Sequence, residues 1–380
     1  MEKTVAGKIQ MVDLKGQYEK IKPEVDAAIQ NVINNTAFIN GPEVKAFADD
    51  LAKYLDAKYV IPCANGTDAL QISMMALGLK PGDEVITADF TYVATAEVIG
   101  LLGLTPVLVD VNPDTFDIDV KAIEKAITPK TKAIVPVHLF GQCANMEAIM
   151  ALAKKHNLYV IEDVAQAIGA DYVFSTGEKK KAGTIGTVGC TSFFPSKNLG
   201  CYGDGGAIYT NDDELAKKIK MIANHGQSIQ YVHDSIGVNS RLDSIQAAIL
   251  RIKLKHLDEY ASARNKAAAN YDKAFADHTK IKTPKRVPFS NHVFHQYTLQ
   301  LNGIDRVKLK DHLTSKDIPA MIYYPIPLHL QKAYKNDRYK KGDFPVTEKL
   351  CASVISLPMH TELDEETLKY ITDSVLEFCK

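Results

Sequence analysis

The chain has 380 residues, of which 46% are hydrophobic and 24% charged, and its formal net charge is -1 at pH 7. This length and composition fit one large globular domain plus a smaller one, while the balanced charge leaves no basic excess for binding nucleic acid. No stretch approaches the roughly 20 apolar residues of a membrane span, and the N-terminus has no apolar signal region. We therefore expect neither a nucleic-acid nor a membrane partner.

The six cysteines contain no C-x-x-C pair, and most of them lie inside apolar runs. This pattern is typical of reduced thiols rather than of disulfides or a metal centre. The sequence therefore predicts a cytoplasmic protein without a metal site.

The first part of the chain predicts two helices followed by a strand. Apolar residues recur at helical spacing from Tyr18 to Ile33 and again after Gly41-Pro42. Tyr59 to Cys63 has the pattern of a short strand, and it leads into Asn65-Gly66-Thr67-Asp68 and a further helical pattern. The strand thus delivers the N-terminus of a helix at Gly66.

Beyond this point strands and helices alternate regularly. The expected strands lie near Glu84 to Thr87, Val107 to Asp110, Ala133 to His138 and Tyr159 to Asp163. The expected helices between them are Tyr92 to Leu102, Val120 to Ile127 and Met146 to His156. Apolar strand runs alternating with helices indicate an α/β fold with a parallel sheet covered on both faces, and such sheets bind ligands at the carboxyl ends of their strands.

The C-terminal third predicts a smaller domain. Arg241 to Phe275 contains no Gly or Pro and has apolar residues three or four apart, so we expect one long helix that links two domains. Prolines then separate shorter segments, and Asp364 to Phe378 predicts a closing helix. The expected division is a large domain over 1–250, including the N-terminal helices, and a small α+β domain over 251–380.

One lysine stands out between two strands. An apolar run from Val188 to Phe194 ends at Pro195, Lys197 follows, and glycines crowd the loop before the next run from Ala207 to Tyr209. Burial lowers the pKa of a lysine, and a neutral amine can form a Schiff base with an aldehyde cofactor. An exposed loop lysine is the alternative.

Other residues fit the needs of a pyridoxal phosphate enzyme, which requires an acid near the pyridine nitrogen, a ring-stacking side chain and an anion site. Asp163 closes a predicted strand and is a candidate for the acid, although it could equally cap a helix. Gln166 could reach the cofactor's ring oxygen. Tyr92 is a candidate for stacking or for core packing.

The phosphate could bind at the start of the helix that follows Tyr59 to Cys63. Gly66 and Thr67 supply free N–H groups there, and Ser192 adds a hydroxyl at the same sheet edge. An ordinary strand-to-helix turn is the alternative. The motifs G-x-G-x-x-G after a βα opening, G-x-x-x-x-G-K-[ST], H-E-x-x-H and G-x-S-x-G are absent, which disfavours nicotinamide, nucleotide triphosphate, zinc peptidase and serine hydrolase chemistry.

Several blocks in order resemble the DegT/DnrJ/EryC1/StrS sugar aminotransferases. They include A-N-G-T-D-A-L, T-Y-V-A-T-A-E, P-V-H-L-F-G-Q, V-I-E-D-V-A-Q, S-F-F-P-S-K-N-L-G, G-V-N-S-R-L-D and Y-Y-P-I-P-L-H. The resemblance covers residues from about 10 to 360. It implies the type I (aspartate aminotransferase) fold of pyridoxal phosphate (PLP) enzymes, and a homodimer with both active sites at the interface.

The resemblance also implies roles for particular residues. Lys197 is then the lysine that carries the cofactor, Asp163 the partner of the pyridine nitrogen, Gln166 its neighbour at the ring oxygen and Tyr92 the stacking aromatic. The phosphate would be held by Gly66, Thr67 and Ser192, and by Asn239 from the other subunit. Arg241, Tyr323 and Tyr324 would lie near the sugar.

The implied reaction transfers an amino group from glutamate to an oxo group of a nucleotide-linked sugar used for surface polysaccharides. The resemblance favours C3 as the position of that oxo group. The blocks are most similar to those of aminotransferases for UDP-2-acetamido-2-deoxy-3-oxo-glucuronate, but those enzymes tend to have His-Tyr-Pro where this chain has Tyr323-Tyr324-Pro325. A dTDP-linked 3-oxo or 4-oxo 6-deoxy sugar is therefore the alternative. A dehydratase, which would have histidine in place of Lys197, and a regulatory protein without catalysis are less favoured.

Overall fold

The strands assemble into one large and several small sheets. The computed structural model describes residues 9–335 and 337–379. In chain order its strands are β1 (Tyr59–Cys63), β2 (Glu84–Ala88), β3 (Thr105–Val109), β4 (Thr131–Val135), β5 (Tyr159–Asp163), β6 (Asp171–Val173), β7 (Lys179–Lys181), β8 (Val188–Ser192), β9 (Gly206–Thr210), β10 (Gln227–Ile229), β11 (Val232–His233), β12 (Ile281–Lys282), β13 (Tyr297–Leu301) and β14 (Val354–Leu357).

The central sheet has seven strands in the order β1-β9-β8-β5-β4-β2-β3. Strand β9 is antiparallel to both of its neighbours, and the other strands are parallel to one another. Successive residues face opposite sides, so Ile134 and Val160 belong to one apolar cluster while Ala133 and Ile161 belong to another. Burial on both faces confirms the predicted α/β fold with a mostly parallel sheet.

The helices cover this sheet and continue into the C-terminal part. They are α1 (Leu14–Asn34), α2 (Pro42–Leu55), α3 (Gly66–Ala76), α4 (Ala94–Leu101), α5 (Val120–Ala126), α6 (Met146–His156), α7 (Asp213–Ala223), α8 (Ser244–Leu254), α9 (Leu257–Phe275), α10 (Arg306–Ser315), α11 (Pro345–Ser353) and α12 (Glu365–Cys379). No described helix is long and apolar enough to cross a membrane.

The prediction of one long helix from Arg241 to Phe275 is wrong. Lys255 keeps helical backbone angles, but His256 departs from them with φ −101° and ψ 1°, and two separate helices, α8 and α9, result. The amides of both residues still bond carbonyls of the last turn of α8. Apolar spacing continues across this break, because Leu254 and Leu257 are both buried, so the pattern did not reveal it.

The C-terminal part has its own core. Strands β12, β13 and β14 form an antiparallel sheet. Residues of α9, α10 and α12 pack with it into a separate apolar cluster that also takes in Ile9. Helix α8 packs instead on α1 and α2. A division after residue 250 would cut α8, so we propose the break at Lys255 and His256 as the place where the two domains separate.

Candidate active site

A cleft of about 800 Å³ opens at the carboxyl ends of the parallel strands. The structure brings most of the predicted site residues to its wall, although they come from distant parts of the chain. The lining includes Gly66, Thr67, Tyr92, Asp163, Gln166, Ser192, Lys197, Tyr323 and Tyr324. Two predicted residues, Asn239 and Arg241, are not part of this lining.

Lys197 lies on the tight loop that follows β8. Its amide donates to the carbonyl of Phe194, and the loop is closed by a bond from Cys201 N to the carbonyl of Phe193 at 2.8 Å. A Cβ atom on Gly200 would lie 2.3 Å from the carbonyl oxygen of Pro195, so this turn requires glycine. Burial lowers the pKa of Lys197 to about 8, although the negative charge of Asp163 acts in the opposite direction. A sizeable neutral fraction of the amine therefore exists near neutral pH.

Asp163 closes β5 and is buried. Its carboxylate accepts from the Thr95 hydroxyl at 2.9 Å and from the Ala165 amide at 3.1 Å. Burial raises the pKa of Asp163 above its ordinary value, while these hydrogen bonds and the charge of Lys197 oppose the rise. A carboxyl group in this position favours a positive charge placed beside it.

Gln166 and Tyr324 both line the cleft and are joined by a hydrogen bond. The Gln166 side chain accepts from the Phe140 amide at 2.9 Å and donates to the Tyr324 hydroxyl at 3.1 Å. Tyr92 is 58% exposed, and its ring centroid lies 6.3 Å from that of Tyr324. An exposed aromatic ring at the edge of a cleft is not core packing, and it is free to stack on a flat ligand.

The start of α3 approaches the end of β8 very closely. A Cβ atom on Gly66 would lie 2.6 Å from the Cβ of Ser192, so only glycine fits here. Asn65 caps the helix by accepting from the Asp68 amide at 2.8 Å, which leaves the first amides of the helix, at Gly66 and Thr67, without intrahelical partners. The resulting cradle of N–H groups and one hydroxyl suits a phosphate.

The cleft also contains residues that were not predicted from the sequence. His295 is the most informative of them, because it is buried and its Nδ1 has no hydrogen-bond partner. Burial lowers the pKa of His295 well below its ordinary value, with further lowering by Lys197 and Arg264, so the imidazole is neutral. No motif or spacing in N-H-V-F-H-Q marks this histidine. Others that were missed are Asn65, Asp68, Phe194, Ser196, Asp204 and Gln296.

Asn239 and Arg241 lie outside the cleft of their own chain. Asn239 is exposed, and its backbone pairs with Asn224 at the end of α7. The hairpin of β10 and β11 precedes it, and this hairpin and the loop after it expose apolar side chains, which are Ile229, Tyr231, Val232 and Ile236. This stretch of chain is therefore a surface feature of the single subunit.

The residues of the cleft fit pyridoxal phosphate, because a lysine of lowered pKa, a buried carboxyl group and a glycine-walled N–H cradle surround one space. This fold and site define a PLP-dependent enzyme of the aspartate aminotransferase type. The chain belongs to the DegT/DnrJ/EryC1/StrS aminotransferase family, whose family model matches residues 19–376.

Named relatives and solved structures agree with this membership. The chain is 50% identical over 363 residues to the UDP-2-acetamido-2-deoxy-3-oxo-D-glucuronate aminotransferase of Pseudomonas aeruginosa, with 96% of this chain and 98% of that protein covered. It is 48% identical over 372 residues to a Geobacillus stearothermophilus protein named pleiotropic regulatory protein, with 97% and 98% covered. The crystal structure of S. venezuelae DesV in complex with a ketimine intermediate has a TM-score of 0.94 and 38% identity, with 99% of each chain covered.

Proposed function

We propose that the enzyme transfers the amino group of glutamate to the C3 oxo group of a UDP-linked 2-acetamido sugar, with the 3-oxo-glucuronate as the first candidate. The observation that supports the reaction most strongly is the joint position of Lys197 and Asp163 on one cleft wall. The sugar class rests on the 50% identity to the Pseudomonas aeruginosa enzyme over nearly the whole of both chains.

The residues that line the cleft support the following proposed contacts with the cofactor. Gly66, Thr67 and Ser192 would hold the phosphate, Asp163 would keep the pyridine nitrogen protonated, and Tyr92 would lie against the ring. When bound, pyridoxal phosphate supplies an aldehyde that takes up the amino group and an electron-poor ring that stabilises negative charge at the reacting carbon. Gln166 would hold the ring oxygen through its amide.

Lys197 has two tasks in this proposal. Its neutral amine is the group that carries the cofactor between reactions. Once the amino donor has displaced it, the same amine is the base that removes a proton from the donor's Cα and later returns one. A pKa of about 8 suits both tasks, since base and conjugate acid are then both populated near neutral pH.

We also propose a homodimer in which each cleft receives Asn239 and Arg241 from the partner. Support comes from the position of Asn239 on the surface, beyond its own cleft, next to a hairpin that exposes Ile229, Tyr231 and Val232. Apolar side chains grouped on one exposed hairpin are typical of an interface. All six cysteines are buried free thiols, which is consistent with the further proposal that the enzyme works in the cytoplasm.

Arg241 supports the choice of a carboxylated sugar. A guanidinium binds a carboxylate through two parallel hydrogen bonds, so Arg241 brought to the partner's cleft would suit the C6 carboxylate of a glucuronate. Tyr323 supports the competing sugar, because an aromatic ring at the cleft wall could instead pack on a 6-deoxy methyl group. Lys197 disfavours the dehydratase, since the relatives with that activity are expected to have histidine there.

The experiment begins with enzyme in which glutamate has already aminated the cofactor. Three oxo sugars are then offered in parallel, namely the UDP-glucuronate type, the UDP-N-acetylglucosamine type and the dTDP-6-deoxy type. Return of the absorbance of the lysine-bound cofactor ranks them, and we expect the UDP-glucuronate type to react fastest. Fastest return with the dTDP sugar would refute the sugar class, and formation of no 2-oxoglutarate in the first step would refute the amino donor.

A further inference from the structure

Residues 321–329, here called the strap, run from the small sheet to the large one. At one end Met321 exchanges two backbone hydrogen bonds with Ser356 of β14, at 3.1 and 2.7 Å. At the other end the amide of Leu328 donates to the carbonyl of Asp89, the residue directly after β2, at 3.3 Å. The strap is therefore attached to both domains, and the two attachment points, Met321 and Leu328, lie seven residues apart.

The attachment to the large domain centres on a buried pair of side chains. One carboxylate oxygen of Asp89 accepts from the His329 amide at 2.8 Å, and the other lies 2.6 Å from the imidazole Nδ1. Asp89 is 1% exposed and His329 is 2% exposed. Burial raises the pKa of Asp89 to about 6, so the group is largely ionised at pH 7. Because a carboxylate only accepts, Nδ1 must then carry the hydrogen.

The second nitrogen of His329 has no such partner. Its Nε2 lies 3.3 Å from a carboxylate oxygen of Glu348, but the two atoms do not have the geometry of a hydrogen bond. The same oxygen of Glu348 accepts from the Gly342 amide at 2.6 Å. Asp89 is thus the side chain that fixes His329, and this contact is a charge-assisted hydrogen bond shielded from water.

The part of the strap that faces the cleft lies between its two attachments. Tyr323 and Tyr324 line the cleft there, and the hydroxyl of Tyr324 bonds with Gln166. Asp89 also precedes Tyr92 by three residues. One carboxylate therefore fixes the strap to the segment after β2 that also carries Tyr92, whose ring lies 6.3 Å from that of Tyr324.

The geometry points to Asp89 and His329 as a positioning pair that holds Tyr323 and Tyr324 where the sugar substrate must bind. Neither residue lines the cleft, so both act through the strap. The inference rests on the proposed function only for the identity of that substrate. Lys197 and Asp163 are held by the ends of β8 and β5 instead. Loss of the contact between Asp89 and His329 therefore weakens sugar binding and spares the reaction with glutamate.

Three variants of the holoenzyme separate positioning from simple support of the fold. His329→Leu removes the imidazole, whereas His329→Asn keeps an N–H group where Nδ1 lay and so preserves the hydrogen bond to Asp89. Glu348→Gln alters the charge at the other nitrogen and is the matched control. If His329→Leu does not fold, Asp89→Asn replaces it, because this change keeps the volume, removes the charge and leaves one oxygen for the two N–H groups of His329.

Two measurements are made on each variant, namely the Kd of UDP-N-acetylglucosamine by calorimetry and the single-turnover rate with glutamate. His329→Leu is expected to raise the Kd about tenfold, and Asp89→Asn, if used in its place, about threefold. In either variant the single-turnover rate with glutamate should change less than about twofold. His329→Asn and Glu348→Gln are expected to stay within about twofold of wild type in both measurements. An unchanged Kd in His329→Leu, or equal losses in Kd and glutamate rate, would overturn the inference.

Hydrogen exchange keeps the test independent of the proposed function. If wild type neither reacts with glutamate nor binds UDP-N-acetylglucosamine, the proposed function has failed. Hydrogen exchange at the amides of 321–328 then still tests whether Asp89 and His329 hold the strap in place. Faster exchange there in Asp89→Asn than in Glu348→Gln supports the positioning role. Equal exchange in the two variants overturns it.

Discussion

Two lysines of this chain have nearly the same pKa and very different surroundings. Burial lowers the pKa of both Lys197 and Lys253 to about 8. Lys197 faces the open cleft with Asp163 nearby, whereas Lys253 is 1% exposed on α8, with its amine 5.3 Å from the centre of the Tyr202 ring. The positive charge of Arg264 lowers the pKa of Lys253 further, and no carboxylate is among the groups that act on it.

The difference explains why we propose Lys197, and not Lys253, as the catalytic lysine although burial lowers the pKa of both. A neutral amine is a nucleophile in either place, but at Lys197 a space of about 800 Å³ admits a cofactor and a substrate. Lys253 lies inside the packing between α8 and the loop that carries Tyr202, where its stem fills apolar volume and its charge rests on an aromatic face. The two lysines therefore differ in access to the cleft and in the presence of a neighbouring carboxyl group, Asp163, which only Lys197 has.

The largest expected effect tests this contrast directly. Lys197→Met should lower kcat at least about a thousandfold, because both the nucleophile and the base are lost. Lys253→Met should leave kcat within about twofold, since the amine reaches no reacting atom. Steady-state kinetics and the visible absorbance of the bound cofactor measure both variants. A large loss of kcat in folded Lys253→Met would break the contrast.

The second prediction asks whether the surroundings of Lys197 extend to another subunit. Lys197→Ala and Asn239→Ala should each be inactive alone, but a one-to-one mixture should recover roughly a quarter of wild-type activity. Half of the random dimers are mixed, and each mixed dimer contains one site with both residues intact. Native mass spectrometry verifies the mixing. If mixed dimers form and activity stays at the level of the parents, Asn239 does not serve the partner's site.

The third prediction concerns the acid that distinguishes the two lysines. Asp163→Asn keeps the shape of the side chain and its contact with Thr95 but removes the charge, so the cofactor ring should lose its positive charge at neutral pH. We expect kcat to fall about a hundredfold with a smaller change in KM, because the loss acts on the chemical step. Thr95→Val is the matched control, since it removes one hydrogen bond to Asp163 and keeps the carboxylate. An equal loss in both variants would mean that orientation rather than charge matters.

Much of the fold was predictable because its periodicities are strong. Strand β5 and helix α6 were predicted with their observed bounds, and the alternation between Glu84 and Asp163 led directly to a parallel sheet. The break at Lys255 and His256 could not be predicted, since apolar residues continue through it without Gly or Pro. Helical periodicity reports which face is buried, and it is insensitive to one irregular turn.

The site was predictable where chemistry is tied to a local motif. Lys197 lies in a glycine-rich loop and Asp163 closes an apolar strand, and both positions can be seen in the sequence. His295, His329 and Lys253 could not be found in this way, because their significance depends on neighbours that are distant in the chain. Lys253 in particular lies in the apolar pattern of α8, and its burial distinguishes it from the exposed Lys255 that follows two residues later.

The smallest expected effect is on stability, and here the two lysines should behave alike. Each has a folded-state pKa of about 8, below the ordinary 10.5, so the folded state binds protons less tightly than the unfolded state. The cost of burying each amine is therefore fully present below pH 8, decreases as pH rises, and is gone above 10.5. In the apoenzyme, Lys197→Met should raise the free energy of unfolding by about 1 to 3 kcal/mol at pH 7. Lys253→Met should raise the free energy of unfolding less, by about 1 kcal/mol, because this variant also loses the contact between the amine and the Tyr202 ring.

Urea unfolding of the apoenzyme at pH 7, 9 and 10.5 measures these gains, with Lys266→Met on the exposed face of α9 as the control for replacing a lysine. The gain should shrink steadily with pH in both buried variants and stay near zero in the control. If Lys253→Met gained stability while Lys197→Met did not, the amine of Lys197 would already be solvated by the cleft. The two lysines would then already differ in the solvation of their amines in the apoenzyme, before any cofactor or substrate binds.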